Sequence, residues 1–270
     1  MIDIHNHILF GIDDGAQTEE DTLNMARRAV EQGITDIIAT PHHKIGVYEN
    51  FGPKIIALTE KVNTLLQTHQ IPLKVHPSQE VRIYGDMIKD LKEGIALPLN
   101  SNAPYVLVEF PSHEVPVYTE QLFTQMALEG YVPIIAHPER NSELQKNPNK
   151  LAELIELGAL AQVTAGVVIG KLGEYNKQIA HLMIEHNMIH FVASDAHNVT
   201  TRDFFMKEAY AHIEATFGEA IVQKLDDNAK KVLNGENIRY SSPREVAKED
   251  KIEKSDVKKK KKKKKFLGLF

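Results

Sequence analysis

His5 and His7 stand two residues apart at the end of the apolar opening Met1-Ile2-Asp3-Ile4. Side chains at i and i+2 of a strand leave from one face, so two imidazoles at a strand tip can grip a divalent cation. In a chain with 13 histidines, such a pair is also open to an accident of composition. The same event recurs, however. Further apolar runs lead into Pro41-His42-His43, Glu80, Val108-Glu109, Ala136-His137-Pro138-Glu139-Arg140 and Ser194-Asp195-Ala196-His197, and Asp13-Asp14-Gly15 follows the first run. The candidate ligands are therefore His5, His7, an aspartate of the Asp13-Asp14 loop, His42, Glu80, Glu109, His137, Asp195 and His197. Gathered without a cation, the carboxylates would raise one another's pKa values. Divalent ions remove that cost, and the set has room for two or three. Nitrogen and oxygen donors without sulfur suit manganese, iron, zinc or cobalt better than magnesium or calcium.

Arg140 lies three residues after His137, and Arg202 five after His197. A guanidinium binds phosphate oxygens in a bidentate manner; a surface ion pair is the plainer role open to each. Arg82 and Lys44, near Glu80 and His42, fit a role or a solvated surface equally well. His69, His181, His186 and His212 fall in or at the ends of helical segments and read as solvated or packing residues. His190 sits inside an apolar run and reads as a hydrogen-bonded core residue. His76 could approach the site, His113 lies in a loop, and period two turns His43 away from His42.

These residues need a scaffold. Strand-like runs occur at Ile2–Ile4, Ile34–Ala39, Leu73–Val75, Tyr105–Val108, Val132–Ala136, Leu160–Val163 and Ile189–Ala193. Several are continuously apolar, as strands buried on both faces are. Between them lie segments of helical period. Glu19–Gln32 is one, with Thr18 as N-cap, Asp21 at N3 and Gly33 at its end. Pro53–His69, Val117–Gly130, Asn149–Gly158, Lys171–Asn187 and Arg202–Phe217 are others, and Asp226–Asn234 adds a terminal helix. Alternation of this kind specifies an α/β fold with a parallel sheet, and seven units in this length predict a barrel. Active sites of such barrels lie at the carboxyl ends of the strands, where all but the sixth run, ending in Thr164, carry a ligand type.

Composition narrows the chemistry. The chain has no cysteine, which excludes a thiolate nucleophile, an iron–sulfur cluster and sulfur-ligated zinc. No run reaches the ~20 apolar residues of a membrane span and no secretory signal pattern is seen, so a cytoplasmic protein is expected. The net charge of −5 conceals a division. Lys258 to Lys265 are eight consecutive lysines, and the remainder carries 24 basic and 37 acidic residues. An acidic body argues against a nucleic-acid surface. Composition changes after Tyr240, dividing the chain into a domain at 1–240 and a basic tail at 241–270 expected to be disordered.

In order and spacing, His5-Asn6-His7, the Asp14 loop, Thr40-Pro41-His42, Glu80, Glu109, Ala136-His137 and Ser194-Asp195-Ala196-His197 resemble the polymerase and histidinol phosphatase (PHP) superfamily. Met1 to Ile8 with Asp13-Asp14-Gly15, Ile135 to Arg140, and Ala193 to Asn198 with Arg202 resemble its bacterial tyrosine-protein phosphatase branch, the CpsB/YwqE type of capsule and exopolysaccharide systems. The resemblance runs from Met1 to about Asn234 and implies a distorted (β/α)7 TIM-like barrel, the PHP fold. It implies one ion on His5, His7, Glu80 and Asp195, a second sharing Glu80 with Glu109 and His137, and a third on Asp14, His42 and His197. It further implies Mn2+ as the metal, with Arg140 and Arg202 holding phosphate. Without cysteine, phosphotyrosine hydrolysis would use a metal-bound hydroxide. The implied partner is a membrane-associated bacterial tyrosine kinase. Lys258–Lys265 beside Phe266-Leu267-Gly268-Leu269-Phe270 adds the two signals for peripheral contact with an anionic membrane. Rival expectations are a histidinol-phosphate or other small phosphomonoester phosphatase, a nuclease-like phosphoesterase, and a non-catalytic regulator stabilised by metal.

Overall fold

The computed structural model describes residues 1–100, 103–250, 252 and 254. Nine parallel strand segments occupy seven barrel positions. They are β1 (Ile2–Asn6), β2 (Asp36–Ala39), β3 (His42–His43), β4 (Lys74–Pro77), β5 (Glu80–Arg82), β6 (Tyr105–Glu109), β7 (Val132–Ala136), β8 (Leu160–Thr164) and β9 (Phe191–Ala193). One sheet runs β1-β2-β4 and the other β3-β5-β6-β7-β8-β9. The second and third expected strands are each interrupted, at Thr40-Pro41 and at Ser78-Gln79, so β3 continues β2 and β5 continues β4. Proline has no N–H for the ladder, and Thr40 instead ties the break to β1: its hydroxyl accepts from Asn6 N at 2.9 Å and its own N–H donates to Asn6 O at 2.8 Å.

The barrel closes between its first and last strands. Asp195 N donates to His5 O (2.9 Å) and His7 N to Ala196 O (3.0 Å). Beside this seam the buried Asp3 carboxylate accepts from Ser194 N at 2.9 Å, from Asn6 Nδ2 at 3.1 Å and from the Ser194 hydroxyl. Burial holds the Asp3 carboxyl above its ordinary pKa, against the lowering effect of these donors.

Alternation accounts for the continuous apolar runs. Ile38, Leu107, Ile134, Leu160 and Phe191 form the inner cluster, capped by Ala229 and Val232 of helix Glu219–Asn234. Their neighbours Ile37, Val106, Ile135, Ala161 and Val192 face the surrounding helices. Among those helices, Glu19–Glu31 begins with the expected Thr18–Asp21 capping box and buries Leu23 and Ala26. Its end at Gly33 uses a φ of +80°, which glycine adopts without strain.

The chain stays packed beyond Tyr240, further than its polar composition suggests. Arg244 N donates to His186 O (2.8 Å), while Val246 is buried and exchanges two backbone hydrogen bonds with the Asn149 side chain. Val246 and the Asn149 amide, with Tyr240 and Ile252 packed partly against the core, hold a segment whose composition is otherwise solvated. Packing contacts thus continue past the boundary expected at 240, to Val246. Lys258–Lys265 and the apolar residues after them lie outside the described residues.

His190, just before β9, is the expected core histidine. It is fully buried, and its Nδ1 accepts from Ala161 N at 3.1 Å. Burial pushes its pKa down to about 3, with Lys224 adding to the effect. The folded chain thus keeps a neutral ring where the unfolded chain takes up a proton below about pH 6.5. Its contribution is intact above that pH and is lost as the pH falls from about 6.5 toward 3. Urea unfolding at about pH 7.5 and about pH 5 is expected to show the wild type losing about 2 kcal/mol more than His190→Asn, whose side chain keeps an acceptor but cannot charge. Equal losses would mean that the ring takes up its proton without unfolding.

Candidate metal centre

A bulge in β1 creates the site. Asp3 pairs with Ile37 but Asn6 with Ala39, so three residue steps oppose two. Asp3 and Asn6 keep the outward parity of Ile37 and Ala39, while Ile4 turns inward to join Ile38. The extra residue switches the parity after Ile4, which brings His5 and His7 to the barrel interior instead of the helix layer.

There the Nε2 atoms of His5 and His7 lie 3.3 Å apart. Each is 3.4 Å from Glu80 Oε2 and 3.4 Å from Asp195 Oδ1. All four side chains are buried. His5, His7 and Glu80 thus form one compact group of donors, and Asp195 approaches it from the side of the two histidines. The ring orientations suit metal binding. His5 Nδ1 meets Gln162 Oε1 at 2.9 Å, His7 Nδ1 meets Asp13 Oδ2 at 2.7 Å, and His197 Nδ1 meets the Asp195 carbonyl at 2.9 Å. With Nδ1–H donated outward, Nε2 presents its lone pair inward, as in metal-binding histidines.

Two further groups adjoin the first. His7, Asp14, His42 and His197 form one, and His42, Glu80 and Glu109 the other, with ligand atoms within 4.8 Å of one another in each. Asp14 Oδ1 lies 3.3 Å from both His42 Nε2 and His197 Nε2. His42 Nδ1 and Glu80 Oε2 are 2.9 Å apart, yet neither has an aligned hydrogen-bond partner, and neither does buried His197 Nε2. Donor atoms that converge without bonding to one another fit divalent cations.

The structure brings together Asp14, His42 and His197 of the expected third set, and His5, His7 and Glu80 of the first, with Asp195 3.4 Å from both histidines. The second is distributed differently. His137 Nε2 reaches Glu80 Oε1 at 2.8 Å, but Glu109 lies beside His42 (3.9 Å) and is held by Arg82 Nε and Nη2 at 2.9 and 2.8 Å. Arg82, which sequence left between a role and a solvated surface, therefore positions Glu109. Arg140 pairs with Asp195 Oδ2; Arg202 bonds Asp195 at 3.0 and 3.1 Å and reaches Asp14 at 3.4 Å. Both guanidiniums remain about a third exposed, so they edge the site from the solvent side.

Electrostatics keep the donors anionic. Burial opposes ionisation of Asp195, but Arg140, His5 and Arg202 outweigh it and hold the carboxyl well below its ordinary range. Glu80 is likewise held well below by His5, His42 and His137 against burial. Hydrogen bonds from His197 and His42 lower Asp14. His42, though burial disfavours its charged form, is raised to about 10 by Glu80 and Asp14, while burial and His7 push His197 down to about 4. His137 and Asp195 have left-handed backbones, at φ 34° and 50°. For non-glycine residues this costs about 1–3 kcal/mol each, and such strain clusters at functional sites.

Two supporting residues, Asp13 and Gln162, and one at the rim, Tyr48, escaped sequence reasoning. Asp13 precedes Asp14 in one loop, where spacing does not tell a ligand from its support. Gln162 lies on β8, whose end looked barren; its signal was a glutamine at the inward parity of Leu160. Tyr48, stacked on His42, left no signal in spacing. The remaining histidines are off the site: His76 pairs with Asp36, His181 with the Val168 carbonyl, and His43 packs between Phe51 and Tyr84. Asp13 also accepts from Gly15 N and His42 N, so it fixes the loop and the ring together. Asp13→Ala is expected to weaken Mn2+ binding about 10–100-fold, read by titration against a competing chelator. Unaltered affinity would mean that packing alone orients His7.

Known proteins share this fold and much of this sequence. The family described as "Capsular polysaccharide synthesis, CpsB/CapC" matches residues 1–234. Tyrosine-protein phosphatase YwqE of Bacillus subtilis (strain 168) is 47% identical over 246 residues, covering 91% of this chain and 96% of the relative. Tyrosine-protein phosphatase CpsB of Streptococcus pneumoniae is 28% identical over 239 residues, covering 86% and 98%. A solved structure from work on YwqE and CpsB, described there as unique metal-dependent tyrosine phosphatases, superposes with a TM-score of 0.90 at 46% identity, covering 92% of this chain and 100% of that one. By the length of these matches, the chain belongs to the CpsB/CapC family of capsular polysaccharide synthesis.

Proposed function

We propose that the protein is a metal-dependent protein-tyrosine phosphatase whose substrate is a tyrosine-phosphorylated protein of capsule or exopolysaccharide synthesis, such as a membrane-associated tyrosine kinase. The observation that carries this reading is the convergence of outward-tethered His5, His7 and His197 with Glu80, Asp195 and Asp14 beneath two solvent-edge arginines. His5, His7, Glu80 and Asp195 would hold one ion; Asp14, His42 and His197, with His7 alongside, a second. Glu80 with Glu109, His42 and His137 offers room for a third. Manganese is the metal proposed, with zinc, iron and cobalt compatible with the same donors.

When bound, the metals supply Lewis acidity toward the phosphoryl oxygens and the attacking water. The chain's own residues do the rest. Arg140 and Arg202 donate to the phosphoryl oxygens and neutralise charge as it builds in the transition state. Asp13 and Gln162 hold His7 and His5 so that no reorganisation accompanies the reaction. Phenolate, with a pKa near 10, is a fair leaving group, and no general acid is assigned. The absence of cysteine removes a phosphocysteine route.

A protein substrate is favoured over a small phosphate by the mouth itself. Ile45, Val47, Phe51, Val117, Tyr118 and Val199 are exposed, and all follow strands whose carboxyl ends carry the site. A rim of this kind suits a polypeptide. Side-by-side assay of the manganese-loaded protein on a phosphotyrosine peptide and on histidinol phosphate tests the reading. The peptide is expected to be turned over far more efficiently; the reverse order would reassign the substrate.

The basic run fits a location at the cytoplasmic face of a membrane. No helix among the described residues is long and apolar enough to cross one. Lys254 sits over the Tyr175 ring at 5.1 Å. Tyr175 is in the first turn of helix Glu174–Glu185, which follows β8 and so begins at the metal end of the barrel. The eight lysines of the sequence at 258–265 supply charge for an anionic surface, each adding about 1 kcal/mol. Truncation after residue 254 is expected to abolish sedimentation with anionic vesicles and leave peptide hydrolysis unchanged. Equal sedimentation would sink the membrane contact alone.

A further inference from the structure

Tyr48 closes a tight hairpin that rises from the rim of the metal centre. Lys44 O accepts from both Val47 N (2.9 Å) and Tyr48 N (2.8 Å), and Lys44 N returns a bond to Tyr48 O at 2.9 Å. Gly46 makes the turn with a φ of +77°. The base is fixed by Asn50, whose side-chain amide donates to both His42 O and Ile12 O at 2.9 Å. The hairpin is therefore anchored, and its tip side chains Ile45 and Val47 are 58% and 59% exposed.

On this support the Tyr48 ring lies nearly parallel to the His42 imidazole, with centroids 5.6 Å apart and an angle of 14°. His42 belongs to two of the three candidate metal groups, its Nδ1 turned to Glu80 and its Nε2 to Asp14. Tyr48 is only partly buried, so it extends an aromatic wall outward from the ligands toward solvent. Arg202, which joins Asp14 to Asp195, edges the same group. An ester whose phosphoryl oxygens meet Arg202 and the ligands must send its organic group outward along the walls of the site.

We infer that Tyr48 is a specificity-determining residue that packs against the phenyl ring of the substrate, so that the site favours aryl over alkyl phosphomonoesters. The inference rests on the phosphatase reading and names a residue for its selectivity. In phosphotyrosine a ring separates the ester oxygen from the peptide and can lie against Tyr48; in phosphoserine a single methylene takes its place, with no aromatic face to offer. The exposed Ile45 and Val47 beyond Tyr48 then meet the peptide flanking the phosphorylated residue.

The test compares wild type, Tyr48→Phe and Tyr48→Ala, each loaded with manganese and checked for metal content. The substrates are two peptides of one sequence that differ only in carrying phosphotyrosine or phosphoserine. Aromatic pairing adds about two- to tenfold beyond area burial. Tyr48→Ala is therefore expected to raise KM for the phosphotyrosine peptide about tenfold, with kcat and the weak phosphoserine rate little changed, while Tyr48→Phe stays near wild type. Equal losses on both peptides, or a fall in metal content, would make Tyr48 a prop for His42 and overturn the inference. Unchanged discrimination in Tyr48→Ala would overturn it too. A wild type inactive on both peptides would instead overturn the phosphatase reading on which it rests.

Discussion

Chelation is expected to abolish phosphotyrosine hydrolysis, and manganese to restore it best, while thiol alkylation leaves the rate untouched. The chain has no cysteine to alkylate, and its donors converge in three adjoining groups that share His7, His42 and Glu80. Sharing makes the loss cooperative: removing one ion changes the charge felt by the next. Elemental analysis beside peptide hydrolysis checks the result. His5→Ala and Asp195→Ala should lower metal occupancy as well as activity, since their ligand atoms converge 3.4 Å apart. Full turnover by protein proven free of metal would end the metal-dependent reading.

Arg140→Ala and Arg202→Ala are each expected to lower kcat on a phosphotyrosine peptide by about 10²–10³, the usual cost of removing a donor to developing charge. The structure sharpens what must be measured with them. Both arginines bond Asp195, and Arg202 also reaches Asp14, so each supports a ligand as well as facing solvent. Metal content therefore separates two roles. Retained metal with a lost rate assigns the arginine to the phosphoryl group; parallel loss of both makes it a brace for Asp195. Wild-type rates would reduce both to ion pairs.

The barrel was legible because its strands are buried on both faces and so read as unbroken apolar runs. All seven positions were found in that way, together with the Thr18 capping box. The breaks at Thr40-Pro41 and Ser78-Gln79 were not, since a split strand keeps the composition of a whole one. The ligand types were readable for a related reason: they end those runs. Their orientation was not. Period two puts His5 and His7 on one face but not on the inward one, and only the β1 bulge does that. Partners of the ligands were harder still. Gln162 and Asp13 act through single hydrogen bonds across the barrel or around a turn, and no local spacing records such a contact. The packed segment around Val246 was hidden for the opposite reason, because one buried apolar residue does not shift the composition of a polar stretch.

The seam between β1 and β9 joins residues such as Asp3 and Ser194, 191 positions apart. Contacts of that separation are slow to form, because the loop they close must be ordered before they are made. During synthesis the histidine pair at the start of the chain emerges long before Asp195 and His197, which complete its cage. An unfinished chain thus has two imidazoles and no cage, and holds metal weakly. Once the last strand docks, ions that bind only the closed form add their binding free energy to the seam. Loading with metal is in this sense a record of translation past His197: the amino-terminal histidines cannot hold the cation tightly until the strand that carries Asp195 has been made and docked.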